Sequence, residues 1–242
     1  MSRLSQYLAW LRSELSVLRG NLLVLVVSWV LFHFAFGLVY PYESLYLEAL
    51  GASPLTIGLI GSACMAVLSV SRIPGAYIAD RYGRRRVIVT MTFGVAASHA
   101  VIALAPDWKV AALGITLQSP CLIYQPALQA ITADSIPPER RGLGYALANV
   151  IPSAPAVLAP LAARLLVENY GFRRGARAAY LLASILLLAT ATVRALWLEE
   201  TLRIKETRPR GLAQELRRSV VEVVSALRNM PRPLAALTLV LL

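Results

Sequence analysis

The sequence predicts an all-α membrane protein, a bundle of six transmembrane helices truncated inside a seventh, and three observations predict it. Of 242 residues, 57% are hydrophobic and 15% charged, with a mean hydropathy of +0.62. A water-soluble domain carries about a quarter charged residues, so this chain lacks the polar surface of an aqueous fold. The apolar residues also come in blocks of the ~20 residues that cross roughly 30 Å of hydrocarbon. Finally, the basic residues gather in alternate connections between those blocks, which is the signature of threading through a bilayer.

Taken in order, residues 1–19 form a basic amphipathic N-terminal segment. It is followed by an apolar run too long for a signal peptide and without a small-residue cleavage site. The blocks Asn21–Tyr40, Pro54–Ala79, Val87–Ala105, Val110–Ala133, Leu143–Val167 and Ala178–Leu198 make the six spans of a transmembrane domain over 20–198. Each span must satisfy its own backbone in lipid, which requires helix, and no ten-residue alternating segments suggest a barrel. The connections Pro106–Lys109 and Pro137–Arg141 are short, so sequential helices are antiparallel neighbours. Residues 199–232 form a charged linker in which Leu212, Leu216, Val220, Val223 and Leu227 recur at spacings of three and four, an amphipathic helix on the membrane face. A seventh block begins at residues 233–234 and reaches Leu242, a rise of only about 13 Å. The chain therefore reads as a fragment whose partner is its own missing C-terminal half.

Charge sets the orientation. Most of the 24 basic residues lie in the N-terminal segment (Arg3, Arg12, Arg19), the second connection (Arg81, Arg84, Arg85, Arg86), the fourth (Arg140, Arg141) and the linker. The positive-inside rule places these in the cytoplasm of a multi-pass cell-membrane protein whose partners are lipids. Arg173, Arg174 and Arg177 in the fifth connection run against the rule. The net charge of +11 follows from these loops and does not imply nucleic acid. Cys64 and Cys121 fall inside spans and read as apolar fillers; no spacing suits a metal, and no cofactor or catalytic residue is expected.

Ionisable and polar groups in hydrocarbon are costly, so each is a candidate site residue. His33 shares a helical face with Gly37, Tyr40 and Ser44, with Glu43 close by. Arg72 continues a stripe of Ser62, Met65 and Ser69. The fourth span carries Gln118, Cys121, Gln125 and Thr132, with Gln129 adjoining. The fifth carries Tyr145, Asn149 and Ser153, bent by Pro152, Pro155 and Pro160. Spans three and six look plainer, apart from His99. The candidate solute-binding set is His33, Tyr40, Ser69, Arg72, Gln118, Gln125, Gln129 and Asn149. His33 and Glu43 could carry a coupling proton; a histidine held neutral by a hydrogen bond and polar groups that only join helices are the plainer readings.

The second connection reads Gly75-Ala76-Tyr77-Ile78-Ala79-Asp80-Arg81-Tyr82-Gly83-Arg84-Arg85-Arg86, and it resembles the G-x-L-a-D-R-x-G-R-[RK] loop of the major facilitator superfamily. One position departs: the family prefers glycine where Ala76 stands beside Gly75. Gly37, Pro41, Tyr46-Leu47, Gly51 and Gly58 resemble the family's passage from the first span to the second. Asp134 and Pro138-Glu139-Arg140-Arg141-Gly142 resemble its fourth connection, and Glu200-Thr201-Leu202 its exit from the sixth span. The resemblance implies half of a major facilitator fold, with helices one, two, four and five facing a central cavity. It also implies a secondary transporter that moves a small solute by alternating access. The gating residues it implies are Gly75, Asp80, Arg81, Gly83, Arg84, Arg85, Asp134 and Arg141. The chemistry of that loop stands without the family. Asp80 can accept from the N–H groups that open the next helix, and Arg81 and Arg84 can pair with Asp80 or Asp134. The fourth span lacks the buried arginine of the family's proton-coupled drug exporters. The fifth offers Pro152-Ser153-Ala154-Pro155 in place of their glycine-rich motif. A membrane sensor or assembly subunit, and an enzyme holding a lipid phosphate on its arginines, are the alternatives.

Overall fold

Each of the first six apolar blocks forms helix, and a glycine, a proline or a capping side chain separates one from the next. The computed structural model describes residues 16–202. The amphipathic N-terminal segment up to residue 15, the linker from residue 203 and the seventh block lie outside the described residues. So do the side chains of Arg72, Ile73, Pro74 and Ala76.

The first span is α1 (Gly20–Val39), a 3₁₀ turn over Tyr40–Tyr42, and α2 (Glu43–Ala49). It runs nine residues beyond the expected end at Tyr40 because Pro41 sits in the first turn of the 3₁₀ segment, where a missing N–H costs nothing. Ser53 opens α3 (Pro54–Tyr82) by accepting from the Thr56 N–H at 3.2 Å. Only Gly83 separates α3 from α4 (Arg84–Leu104), and its φ of +95° is a conformation that favours glycine. Asp107 caps α5 (Trp108–Cys121) by accepting from the N–H groups of Lys109 and Val110 at 2.9 and 3.1 Å.

The fourth span is the jointed one. Pro120 removes a backbone donor, the chain tightens to a 3₁₀ turn over Leu122–Tyr124, and Pro126 stands in the first turn of α6 (Gln125–Ser135). By contrast α7 (Arg141–Tyr170) stays α-helical through Pro152, Pro155 and Pro160. Gly171 alone joins it to α8 (Phe172–Trp197). Five of these helical stretches are long and apolar enough to cross a membrane: Gly20–Ala49, Pro54–Ser71, Arg84–Leu104, Pro138–Tyr170 and Phe172–Trp197. The fourth span falls short as a single helix because the joint splits it.

α4 and α8 pack along much of their length, α1 lies against both α7 and α8, and α4 also packs on α5. α3 packs on α5, the Leu122–Tyr124 turn and α6. Small residues allow this closeness: Ala96, Ala103, Ala183 and Ala191 are buried in α4 and α8. A Cβ on Gly37 of α1 would stand 2.7 Å from the Ala159 side chain of α7. In lipid such contacts, rather than water exclusion, hold helices together. α3 and α7 bury least and expose Leu55, Leu59, Met65 and Val70 on one and Val150, Val157, Leu158 and Leu165 on the other.

Candidate functional site

At the end of the bundle where α3 turns into α4, the glycine turn brings a set of charges together. Arg84, the first residue of α4, donates through Nη1 to Asp134 Oδ2 at 2.8 Å and through Nε to Asp80 Oδ1 at 3.2 Å. It thereby ties the end of span two to the end of span four. Thr201 Oγ1 donates to the same Asp134 oxygen at 3.0 Å. Glu200 Oε2 accepts from the Arg85 N–H at 2.9 Å, and its Oε1 accepts from the Leu202 N–H at 3.0 Å. A carboxylate at the N-terminus of α4 meets both unpaired N–H groups and the positive end of the helix dipole. Arg85 returns the tie by donating through Nη2 to the Ala195 carbonyl in the last turn of α8, at 2.6 Å.

This arrangement corrects the sequence reading in two places. The carboxylate that caps α4 is Glu200, because the one-residue turn leaves Asp80 in register with Arg84, four residues on. Arg81 pairs with neither aspartate. Its guanidinium donates to Tyr77 Oη at 3.2 Å and lies 5.6 Å from the Tyr82 ring. Gly83 is buried, and a Cβ there would stand 2.9 Å from Glu200 Oε2. Gly75 sits where α3 crosses the joint of span four, and a Cβ would collide with the Ile123 carbonyl oxygen. Arg141 is exposed and makes no ion pair among the described residues.

The candidate solute-binding residues are less gathered. Tyr40, Ser69, Gln125, Gln129 and Asn149 are exposed, and His33 and Gln118 are half-buried. The Arg72 side chain lies outside the described residues. Asn149 Nδ2 donates to the Tyr145 carbonyl at 2.7 Å, and Ser153 Oγ to the Asn149 carbonyl at 2.6 Å. Cys121 faces span three, where a Cβ on Gly94 would meet its Sγ at 2.6 Å. His99 is the core histidine: buried on α4, its Nδ1 lies 2.9 Å from the Val95 carbonyl and its ring 5.2 Å from Phe36.

Span six is not plain. Arg194 of α8 is 0% exposed, the largest fully buried side chain among the described residues. Its Nε donates to Ser28 Oγ of α1 at 3.1 Å and its Nη1 to Thr92 Oγ1 of α4 at 2.9 Å. The rings of Phe32 and Tyr124 lie 5.7 and 5.5 Å from the guanidinium carbon. The signal was in the sequence: an arginine inside an apolar run. It stands four residues from the end of that run, where an arginine ordinarily snorkels to the membrane surface.

Two of the three arginines that broke the charge pattern also find a structural use. Arg173 Nη2 donates to the Pro106 carbonyl and Arg177 Nη2 to the Ala105 carbonyl, both at 2.7 Å. They meet unpaired carbonyls and the negative end of the dipole at the C-terminus of α4.

Among curated proteins, the chain is 30% identical over 145 residues to a Na(+), Li(+), K(+)/H(+) antiporter of Planococcus maritimus, covering 57% of this chain and 34% of that one. It is 27% identical over 216 residues to the multidrug resistance protein MdtG of Citrobacter koseri, covering 85% and 50%. The chain thus spans half or less of the length of these relatives. Among solved structures, the human organic anion transporter MFSD10 (TETRAN) superposes with a TM-score of 0.63 at 20% identity, over 81% of this chain and 51% of that one. A peptide transporter POT in complex with sulfate gives 0.62 at 22% identity, over 91% and 46%. At such identity these two likenesses establish the fold alone. The sequence model of the Major Facilitator Superfamily matches residues 25–242, most of the chain. The chain belongs to that superfamily, whose members are multi-pass membrane proteins.

Proposed function

We propose that this chain is one half of a secondary transporter that moves a small solute across the cell membrane by alternating access, with the Arg84 cluster as its gating latch. Family membership supplies the class. The observation that carries the mechanism is the single guanidinium of Arg84 shared between Asp80 and Asp134. It joins spans two, three and four through charge-assisted bonds that can break and re-form as a unit. Arg85, Glu200 and Thr201 extend the same cluster to span six. The chain spans half or less of its relatives, so the second half against which this bundle would rock is part of the proposal.

The relatives carry different cargoes by name, so the solute must be read from this chain's own residues. In this reading His33, Tyr40, Ser69, Arg72, Gln118, Gln125, Gln129 and Asn149 line the path, and His33 and Glu43 take a coupling proton. The basic cluster lies in the cytoplasm, as does the N-terminus.

Two measurements test the reading. Uptake and efflux of a solute panel would be followed in cells expressing the gene's full product. Retention of every solute at the level of vector-only cells removes the transporter function. Cysteine labelling at introduced sites tests the orientation, and a cysteine at position 84 labelled from outside the cell overturns it.

A further inference from the structure

Arg194, the fully buried arginine among the described residues, is not used by the latch. Arg194 is a permanent cation with five N–H donors and no acceptor. Two of those donors are used, the Nε N–H by the Ser28 hydroxyl and one Nη1 N–H by the Thr92 hydroxyl. Ser28 Oγ passes its own proton to the Leu25 carbonyl at 2.9 Å, and Thr92 Oγ1 passes its proton to the Ile88 carbonyl at 2.6 Å. Both hydroxyl oxygens therefore face the guanidinium as acceptors. They solvate the cation without neutralising it. No carboxylate among the described residues lies within ion-pair distance of Arg194, and its Nη2 has no hydrogen-bond partner there. A buried charge that is half-solvated and unneutralised is costly in hydrocarbon, and the chemistry that relieves it is an anion.

The rings narrow the class. Phe32 and Tyr124 flank the guanidinium, so an anion reaching Nη2 must bring an apolar body that tolerates aromatic walls. Tyr124 also closes the 3₁₀ turn Leu122–Tyr124, the joint of span four between Pro120 and Pro126. Its ring is buried, yet its backbone belongs to a 3₁₀ turn, where helical hydrogen-bond geometry is poorer than in an α-helix. The next residue, Gln125, is already exposed. A small hinge at the joint would thus move the ring that stands against the guanidinium.

We propose that Arg194 is the anion-recognition residue of an occluded site for apolar-bodied organic monocarboxylates, gated by the Tyr124 ring. The two N–H groups of Nη2 donate to the carboxylate as Tyr124 swings out. Ser28 and Thr92 hold the rest of the fork in place. This rests on the transporter reading for its purpose but not for its test, which reads binding.

The gene's full product, purified in detergent, would be unfolded by heat in the presence of benzoate, its neutral isostere benzamide, or sulfate at matched ionic strength. The expected result is a saturable rise in unfolding temperature with benzoate and none with benzamide or sulfate. Arg194→Gln should weaken the apparent benzoate affinity at least tenfold. Arg194→Lys keeps the charge without the Nη2 pair and should weaken it as well, which serves if the glutamine variant does not fold. The proposal is overturned if benzoate gives no shift on the wild-type protein, if benzamide or sulfate matches it, or if either variant binds benzoate as the wild type does. Benzoate binding in a protein that transports nothing would sink the transporter reading and leave this site standing. Transport without any benzoate shift would do the reverse.

Discussion

The two bonds of Arg84 are unequal, and their inequality can be measured. Asp80 lies four residues before Arg84, its side chain is 60% exposed and the bond is 3.2 Å long. An exposed pair at that spacing contributes about 0.3–0.5 kcal/mol. Asp134 reaches across from another span at 2.8 Å, onto an arginine only 17% exposed, and also takes the Thr201 hydroxyl. A charge-assisted bond between such groups contributes about 1.5–3 kcal/mol. Asp134 is 47% exposed, so solvent screening brings the expected value to about 1–1.5 kcal/mol. Asp134→Asn should therefore favour the unlatched state by up to about tenfold, since 1.4 kcal/mol is a factor of ten. Asp80→Asn should change it by about twofold. The assay is a double-mutant cycle on the purified full product, combining Arg84→Gln with each aspartate change, with SDS unfolding read by circular dichroism. Initial transport rate is the second readout. A coupling of Arg84 to Asp80 equal to or larger than its coupling to Asp134 would refute the reasoning, because exposure and distance would then not rank the bonds.

Three further outcomes follow from the same geometry. Gly75→Ala drives a methyl into the Ile123 carbonyl oxygen, so α3 and the joint of span four must separate; a loss of about 1–3 kcal/mol in the same unfolding assay is expected, and an unchanged midpoint would show that the two spans are not in contact there. Glu200→Gln keeps a hydrogen-bond acceptor at the start of α4 but removes the charge facing its dipole, a loss of about 0.3–1 kcal/mol that should shrink as salt is added; salt-independence would argue against an electrostatic cap. Arg177→Ala frees the Ala105 carbonyl at the end of α4 and should cost about 1 kcal/mol, while Arg174→Ala, for which no such bond is described, should cost about half a kcal/mol or less.

The number of spans was legible because bilayer thickness imposes a length that composition alone reveals. Blocks such as Val87–Ala105 differ from the observed Arg84–Leu104 only by residues at the ends. The turn at Gly83 and the meeting of Arg84 with Asp134 were legible through a family-like loop, since the turn is local and the spacing fixes its register. Three things were not. The first block was ended at Tyr40, whereas the helix continues past it because Pro41, at the opening of a 3₁₀ turn, costs no hydrogen bond. The cap on α4 was assigned to Asp80, the nearest carboxylate in sequence, when Glu200, 115 residues beyond Arg85, reaches the same N–H group. Arg194 was passed over because depth in a bundle depends on which neighbours supply hydroxyls. Ser28 and Thr92 lie 166 and 102 residues away from it, so no periodicity along α8 could reveal them.

On the proposed function, the latch and the buried arginine would share one lever. α6 runs from Gln125, next to the Tyr124 ring over Arg194, to Ser135, next to the Asp134 carboxylate held by Arg84. Eleven residues of helix make a rod about 16 Å long. It is an uninterrupted α-helix, so in the proposed mechanism it would move as one body about the 3₁₀ turn between Pro120 and Pro126. Gly75 of α3 bears on that turn through Ile123, while Asp80 at the far end of the same α3 shares Arg84 with Asp134. Span two thus touches the rod at its joint and, through Arg84, at its tip. In the proposed mechanism, releasing the tip would free rotation about the joint, and that rotation would move Tyr124. A change of charge at Asp134 can in this way reach a ring at the other end of α6 without any continuous chain of polar groups between them. The split that keeps span four from forming a single membrane-crossing helix is also what gives it two ends that can act on each other.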